Sequence, residues 1–357
     1  MNEIVILDTI RTPFGKYKGS LAALSAVDLG VDTVKTLLTR NPGTRPDSVI
    51  FGNVLSAGLG QNIARQISIH AGLAPDIPAF TVNEVCGSSL KAIQLARQAL
   101  LANDAEVILA GGTESMTNAE TMHIDGLTDA FENVLMGVTV ERLAAEYGIT
   151  REAQELFAIE SHRRAAHTDF AAELTQNSPL ETIRTSTPEK MASLAPVFAE
   201  NGTITAGTAS PVNDGASAML LSTRAYAQKH GLRSLAVLRD VVEVGVEPAR
   251  MGISPIKAIQ KLSKKTGVTL AEIDRFEINE AFAASSLIIN QELGLNAQKV
   301  NRQGGALALG HPLGATGARL IGTLAHQLYT SHERLGIASL CIGGGLGLAA
   351  LLENPNA

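Results

Sequence analysis

The chain has no tryptophan, two cysteines and few charged side chains. Of its 357 residues, 4% are aromatic and 18% are charged, and the formal net charge is −6 at pH 7. Nucleic-acid binding sites usually combine basic stripes with stacking rings, so this composition argues against a nucleic-acid partner. Two cysteines without CxxC spacing argue against a disulfide framework and against a cysteine-rich zinc site, and we predict no metal site elsewhere.

Long hydrophobic runs and nucleotide-binding loops are also missing. No window of about 18 residues is apolar without glycine or charge, which argues against a membrane span. The N-terminus leads directly into EIVIL, so we expect no signal peptide and a cytoplasmic protein with reduced thiols. Because neither GxGxxG after a strand nor GxxxxGK occurs, nucleotide phosphates are not expected to bind through the familiar glycine-rich loops.

Apolar runs of strand length alternate with segments of helical period, which indicates an α/β fold with largely buried sheets. Such runs include EIVILD, SVIFGNVL, AEVILAGG and LAVLRDVVEVGV. Between residues 116 and 212 strand-like runs vanish and helical stretches appear, which predicts an inserted loop domain. The predicted organisation is an N-terminal core domain (1–115 and 213–234), the inserted domain (116–212) and a C-terminal core domain (235–357).

A coarse internal repeat connects the two predicted core domains. Val82-Asn83 leads to a turn, a helix and the strand AEVILAGG, and Val300-Asn301 leads to a glycine-rich turn, a helix and the strand IASLCIGG. Two such halves would pack together with their turns facing a shared pocket. Chance similarity between two α/β segments is the alternative.

Both cysteines lie in small-residue turns at the ends of apolar runs, Cys86 in TVNEVCGSSLKA and Cys341 in IASLCIGGGLG. A thiol between glycines is accessible to a substrate, whereas a packing cysteine usually lies among large apolar side chains. Cys86 also precedes a helix predicted to start near Ser88, and the dipole of that helix favours a thiolate. Inert packing is the alternative for both thiols.

Three further positions are candidates for a catalytic site. Among the eight histidines, His311 alone lies in a dense glycine turn, GGALALGHPLGATGAR, and we interpret the others as structural. Asn279 ends the strand-like run of RFEINEAFAA, where α/β proteins often place functional side chains, although helix capping is the alternative. Gly343 begins a glycine triplet that could form a hairpin turn, present an N–H group to an oxyanion, or do both.

Together these motifs resemble the thiolases, which make or cleave 3-ketoacyl-CoA. The resemblance runs nearly end to end and includes RTPFGKYKGSLAALSAVDLG, GQNIARQ, GGTES, DGLTDAF and TAGTASPVNDGA. It implies duplicated α/β core domains in a layered αβαβα arrangement with an inserted loop domain. It also implies an acyltransferase that reversibly condenses two acetyl-CoA to acetoacetyl-CoA and CoA through an acyl-cysteine. Coenzyme A is then substrate and product, and no other cofactor is implied.

The roles of the site residues follow from this resemblance. Cys86 matches the nucleophile, His311 the residue that activates it, and Cys341 the second thiol, which moves the α-proton. His311 and a water held by Asn279 match one oxyanion hole, and the backbone N–H groups of Cys86 and Gly343 match the other. The resemblance places contacts to CoA or its acyl end at a further set of residues: Leu127, Met136, Arg184, Ala206, Ser210, Met251, Ala281 and Phe282.

Departures from the family pattern bear on assembly and substrate. Only MTNAETMHI separates GGTES from DGLTDAF, where the family usually has a tetramerisation loop, so we expect a homodimer. Leu135 stands where biosynthetic members often carry a histidine, and Ser89 replaces a common glycine. A degradative thiolase for longer 3-ketoacyl-CoA remains an alternative. So does a thiolase-like protein that binds acyl-CoA or lipid without turnover, although the retained thiols speak against it.

Overall fold

The computed structural model describes residues 3–176 and 180–357, in which strands and helices alternate as expected for an α/β protein. The strands are β1 (Ile4–Arg11), β2 (Gly15–Lys16), β3 (Ser48–Gly52), β4 (Ala79–Val82), β5 (Val107–Ser115), β6 (Asn213–Thr223), β7 (Ala236–Gly245), β8 (Arg275–Ile278), β9 (Leu335–Ile342) and β10 (Leu346–Glu353). The α-helices are α1 (Ala26–Arg40), α2 (Ile63–His70), α3 (Ser88–Ala102), α4 (Met136–Glu146), α5 (Arg151–Ala166), α6 (Pro188–Ala192), α7 (Arg224–Lys229), α8 (Ser254–Thr266), α9 (Ala283–Glu292), α10 (Ala306–Leu309) and α11 (Thr316–Ser331).

The two halves of the chain repeat one strand topology, so the predicted internal repeat is real. In the first half the spatial order is β4-β3-β5-β6-β1, and in the second it is β8-β9-β10-β7. In each half one strand runs antiparallel to its two neighbours, and the next pair is parallel. In the second half, the counterpart of β4 is reduced to an isolated parallel bridge between Phe276 and Val300.

Successive side chains of a strand pack into different hydrophobic cores on opposite faces of the sheet. Ile4 and Ile6 of β1 join a central core with α3, α11 and β9, whereas Val5 and Leu7 join an outer core with α1 and α2. A third core packs β8 and β9 against α8 and α9. Because strand side chains alternate between faces, strands buried on both sides need helices on both sides. The result is the expected αβαβα layering.

The central layer is formed by α3 and α11, the helices that follow the two corresponding turns. They approach closely at Gly317, where a Cβ atom would lie 2.5 Å from the backbone nitrogen of Leu90. Ser89 accepts a hydrogen bond from the Ala318 N–H at 2.9 Å and so joins the same two helices. This packing brings the N-terminal ends of α3 and α11 together between the two halves of the sheet, which the pairing of β1 with β7 makes continuous.

The described part of the segment 116–212 contains α4, α5 and α6 with short turns, and its β-pairings there are isolated bridges. Residues 177–179 of the predicted insert lie outside the described residues. The division into an inserted domain and two core domains therefore stays a prediction about boundaries. Among the described residues, no helix combines the length and the apolar character needed to cross a bilayer.

Candidate active site

Cys86 lies in a tight turn between β4 and α3. The preceding residue, Val85, has φ of 47°, a left-handed conformation that is costly for a β-branched residue. The side chain of Asn83 accepts the Val85 N–H at 3.0 Å. The Ser88 hydroxyl accepts the Glu84 N–H at 2.9 Å and donates to the Val85 carbonyl at 2.7 Å. These bonds hold the turn in a strained conformation and fix the position of the thiol.

One apolar cavity of about 270 Å³ collects side chains from both halves and from the segment 116–212. Cys86, His311 and Cys341 all line it, so the structure brings the three predicted reactive groups together. Six of the predicted contacts to CoA or its acyl end line it as well: Leu127, Met136, Ser210, Met251, Ala281 and Phe282. Ala206 and Arg184 are exposed and do not line this cavity, and their contact with CoA stays a prediction.

The hydrogen bonds of His311 define which ring nitrogen is free. The Thr316 hydroxyl donates its hydrogen to the Pro312 carbonyl at 2.8 Å and lies 2.7 Å from His311 Nδ1. Since that hydroxyl hydrogen is used, Thr316 must accept from an Nδ1–H group. The lone pair is therefore on Nε2, which lies 3.4 Å from Asn279 Nδ2, a donor. In this tautomer Nε2 can accept a proton.

His311 is neutral at physiological pH. Burial and, to a smaller extent, the positive charge of the buried Arg319 together lower its pKa to about 3. A neutral imidazole can act as a base from the start of a reaction, whereas a protonated one cannot. The turn that carries it is held by the Asn213 side chain, which accepts the His311 N–H at 2.9 Å.

Asn279 follows β8 directly and is not a helix cap, because α9 begins at Ala283 with Phe282 in the N-cap position. Its N–H donates to the Ser339 carbonyl of β9 at 2.9 Å, which fixes it beside the strand that carries Cys341. Its buried Oδ1 atom has no hydrogen-bond partner among residues 3–176 and 180–357. A buried amide oxygen without a partner is the kind of group that an ordered water satisfies.

Gly343 supplies an N–H group to the nucleophile. The glycine triplet does form the hairpin turn between β9 and β10, where Ile342 pairs with Leu346. At the same time the Gly343 N–H donates a hydrogen bond toward the Cys86 sulfur, which lowers the pKa of that thiol. The hairpin alternative for the triplet is therefore confirmed, and contact of the Gly343 N–H with an oxyanion stays a prediction.

The ligand-free Cys86 is a thiol, contrary to the expectation of a favoured thiolate. Burial raises its pKa to about 11, and the charge of Glu114 adds to the rise, against the N–H bonds that lower it. Cys341 is similar, with burial and then the neighbouring Cys86 raising its pKa to about 12. The helix dipole is outweighed because both sulfur atoms are buried in an apolar lining, away from the water that would solvate a thiolate. Each thiol therefore needs a base in order to react.

The sequence analysis missed the residue that holds the histidine turn in place. Glu114, at the end of β5, accepts N–H groups from Val54, Leu55 and Gly314 and the side-chain amide of Asn53, at 2.9 to 3.1 Å. It thereby joins the first half to the turn that follows His311. The sequence signal was an acidic residue in GGTES at the end of a continuous apolar run, a position that a solvent-exposed carboxylate would not occupy.

The sequence analysis also missed His123, which lies on a π-helical turn (Met122–Leu127) and lines the cavity although it was interpreted as structural. Leu135 lines the cavity too and presents an apolar side chain to it. The place of His123 four residues before Leu127, a predicted contact to CoA, was the signal in the sequence that this histidine lies near the cavity. In the described part of the chain, no group of three or more His, Cys, Asp and Glu side chains is arranged to hold a metal ion.

Comparisons with known proteins agree with this geometry. The model of the thiolase N-terminal domain matches residues 4–124 and 119–225, and that of the thiolase C-terminal domain matches residues 232–354. An acetyl-CoA acetyltransferase of Escherichia coli (strain K12) is 42% identical over 394 aligned positions, which cover 100% of each chain. The alignment is longer than this chain of 357 residues, so segments of the relative have no counterpart here.

Solved structures show the same similarity. The Acat5 thiolase from Ascaris suum, solved in complex with coenzyme A, superposes with a TM-score of 0.95 at 39% identity and covers 99% of this chain and 100% of its own. The acetyl-CoA acetyltransferase of Bacillus anthracis gives a TM-score of 0.94 at 34% identity, with 99% of each chain covered. The chain belongs to the thiolase family.

Proposed function

We propose that this protein is an acetyl-CoA acetyltransferase that reversibly condenses two acetyl-CoA to acetoacetyl-CoA and CoA through an acyl-cysteine. The observation that carries the proposal is the meeting of two thiols and one neutral imidazole in a single apolar cavity. The relatives with full-length similarity that carry this name support the same activity. Coenzyme A would be substrate and product, as the coenzyme A complex of the Ascaris suum relative suggests.

Acylation of Cys86 would come first. His311 Nε2 takes the thiol proton as the sulfur attacks the thioester carbon of acetyl-CoA, and the carbonyl oxygen becomes negatively charged. The backbone N–H groups of Cys86 and Gly343 stabilise that charge. When the tetrahedral intermediate collapses, the CoA thiolate leaves and takes the proton from His311. Acetyl-Cys86, free CoA and a neutral imidazole remain.

Condensation would use the second thiol. Acylation removes the possibility of negative charge on Cys86, which is one of the causes that raise the pKa of Cys341. Neutral His311 can take the Cys341 proton, and the thiolate then removes an α-proton from a second acetyl-CoA. The resulting enolate oxygen is stabilised by His311 and a water held by Asn279. The enolate carbon attacks acetyl-Cys86, and the departing Cys86 thiolate takes the proton back from His311.

The proposal also covers the CoA contacts outside the cavity, the assembly and the length of the substrate. Arg184 and Ala206 would contact the distal part of CoA outside the cavity, since both are exposed. The protein would act as a cytoplasmic homodimer with an inserted domain between two core domains. A preference for 3-ketoacyl-CoA longer than acetoacetyl-CoA is the second candidate, because Leu135 makes the cavity lining apolar where many relatives carry a histidine.

The test is thiolysis of acetoacetyl-CoA in the presence of CoA, followed by loss of absorbance of the substrate enolate. The unmodified protein should catalyse it, and Cys86→Ala should be inactive. Cys341→Ala should still accept an acetyl group on Cys86, detected by mass spectrometry, but should not condense. An unmodified, folded protein that cleaves neither acetoacetyl-CoA nor a 3-ketoacyl-CoA of eight carbons would refute the proposal.

A further inference from the structure

We propose that the buried ion pair between Arg319 and Glu277 is a positioning clamp that holds Asn279 against His311. The inference rests on the proposed function, because the contact it maintains would serve the enolate step. Arg319 Nη1 lies 3.2 Å from Glu277 Oε2, and both side chains are 0% exposed. Neither residue lines the catalytic cavity, so they would act through Asn279 and His311.

The clamp joins β8, which leads to Asn279, to α11, which begins shortly after His311. Glu277 lies in β8, two residues before Asn279, which directly follows the last residue of that strand. Arg319 lies in the first turn of α11, three residues after Thr316, which fixes His311 Nδ1 at 2.7 Å. A shift of β8 along α11 would therefore change the 3.4 Å contact between Asn279 Nδ2 and His311 Nε2.

Glu277 holds α11 at two points. While Oε2 pairs with Arg319, Oε1 accepts the Gln327 side-chain amide at 2.8 Å, and Gln327 also donates to Gln303 at 3.1 Å. Arg319 and Gln327 are eight residues apart, about 12 Å along the helix axis. The two side chains converge on the two oxygens of one carboxylate, so Glu277 is tied to two positions of the helix, and a slide of the helix along the strand would break at least one of these bonds.

Electrostatics gives the arginine a second effect on the same site. Arg319 is close enough to His311 for its charge to lower the histidine pKa, and burial acts in the same direction. Two positive charges in one dry interior repel, so the charge of Arg319 keeps the imidazole unprotonated. The Nε and Nη2 atoms of Arg319 have no hydrogen-bond partner among the described residues. Burying a charge with unsatisfied donors costs free energy, so this ion pair is not explained by a gain in folding stability.

A second buried ion pair offers a matched control. Arg11 Nη2 lies 3.1 Å from Glu173 Oε1, and Glu173 Oε2 accepts the Thr323 hydroxyl of α11 at 2.7 Å. This pair also contacts α11, but neither Arg11 nor Glu173 belongs to β8. The charges of this pair act on Arg319, but no hydrogen bond joins the two pairs among the described residues, so its loss should disturb the helix without changing the distance between Asn279 and His311.

The experiment separates the two half-reactions. Exchange of labelled CoA into acetyl-CoA reports acylation of Cys86, which needs His311 but not Asn279. Exchange of the acetyl-CoA methyl protons with D2O reports enolate formation, which needs both. For Glu277→Gln we expect enolate exchange to fall by about 10- to 100-fold while acylation changes far less, because a misplacement of about 1 Å is enough to slow one step selectively.

Two further variants keep the result interpretable. The double variant Arg319→Met with Glu277→Met replaces both charges by apolar groups of similar volume, so it should stay folded without the clamp and show the same selective loss. Glu173→Gln should leave the ratio of the two exchange rates unchanged. Equal losses in both half-reactions, an unchanged ratio in the folded double variant, or the same selective loss in Glu173→Gln would overturn the clamp. Absence of both exchanges in the unmodified protein would instead refute the proposed function.

Discussion

Replacement of Thr316 by valine tests how the catalytic base is prepared. Valine keeps the shape of threonine but lacks the hydroxyl that accepts His311 Nδ1–H at 2.7 Å. The buried N–H would lose its partner, which costs about 1–3 kcal/mol. The imidazole can avoid this cost by moving its proton to Nε2, but the lone pair then faces away from Asn279 and Nε2 can no longer accept the thiol proton.

That energy converts directly into a rate. If the active tautomer becomes less stable by about 1–3 kcal/mol, kcat for thiolysis should fall by about 5- to 150-fold. KM for acetoacetyl-CoA should change little, because Thr316 does not line the cavity. The rate of Cys86 acetylation by acetyl-CoA should fall in parallel, since the same base activates the thiol.

Two control variants separate this effect from loss of stability. Thr316→Ser keeps the hydroxyl and should retain most activity. Thr33→Val removes a comparable bond in α1, where the buried Thr33 hydroxyl donates to the Gly30 carbonyl at 2.8 Å, far from the site in sequence. It should lose stability but not kcat. Wild-type kcat in a folded Thr316→Val, or equal kcat in Thr316→Ser and Thr316→Val, would refute the assignment of the tautomer.

Two other predictions concern helix packing and the resting thiol. Gly317→Ala should lower the thermal midpoint by several degrees, although alanine normally favours a helix, because its Cβ would meet the Leu90 backbone nitrogen at 2.5 Å; a raised midpoint in calorimetry would contradict this packing. In Cys341→Ala, where Cys86 is the remaining cysteine, iodoacetamide alkylation should accelerate about tenfold per pH unit between pH 7 and 9, because the Cys86 pKa is raised to about 11 and the thiolate fraction is still rising. A plateau near pH 7 would instead reveal a preformed thiolate.

The sequence alone determined the elements and the identity of the reactive groups. Apolar runs such as EIVILD and AEVILAGG became β1 and β5, in which every residue is buried, because only strands covered on both faces tolerate continuous apolar side chains. Cys86 and His311 were recognisable because glycine-rich turns at helix starts leave room for a ligand. These signals are local, so they survive without knowledge of the fold.

The tertiary structure alone decided the chemical state of those groups. The sequence favoured a Cys86 thiolate from one nearby helix, but burial by side chains from both halves reverses the direction of the pKa shift. The same packing makes His311 neutral, leaves its Nε2 free through Thr316 and removes Asn279 from any capping role. Desolvation depends on everything within a few ångströms of an atom, and residues more than 200 positions apart in the chain supply it here. A local sequence pattern does not show how much of an atom's surroundings distant residues fill. The sequence therefore identified the residue types but not their protonation states.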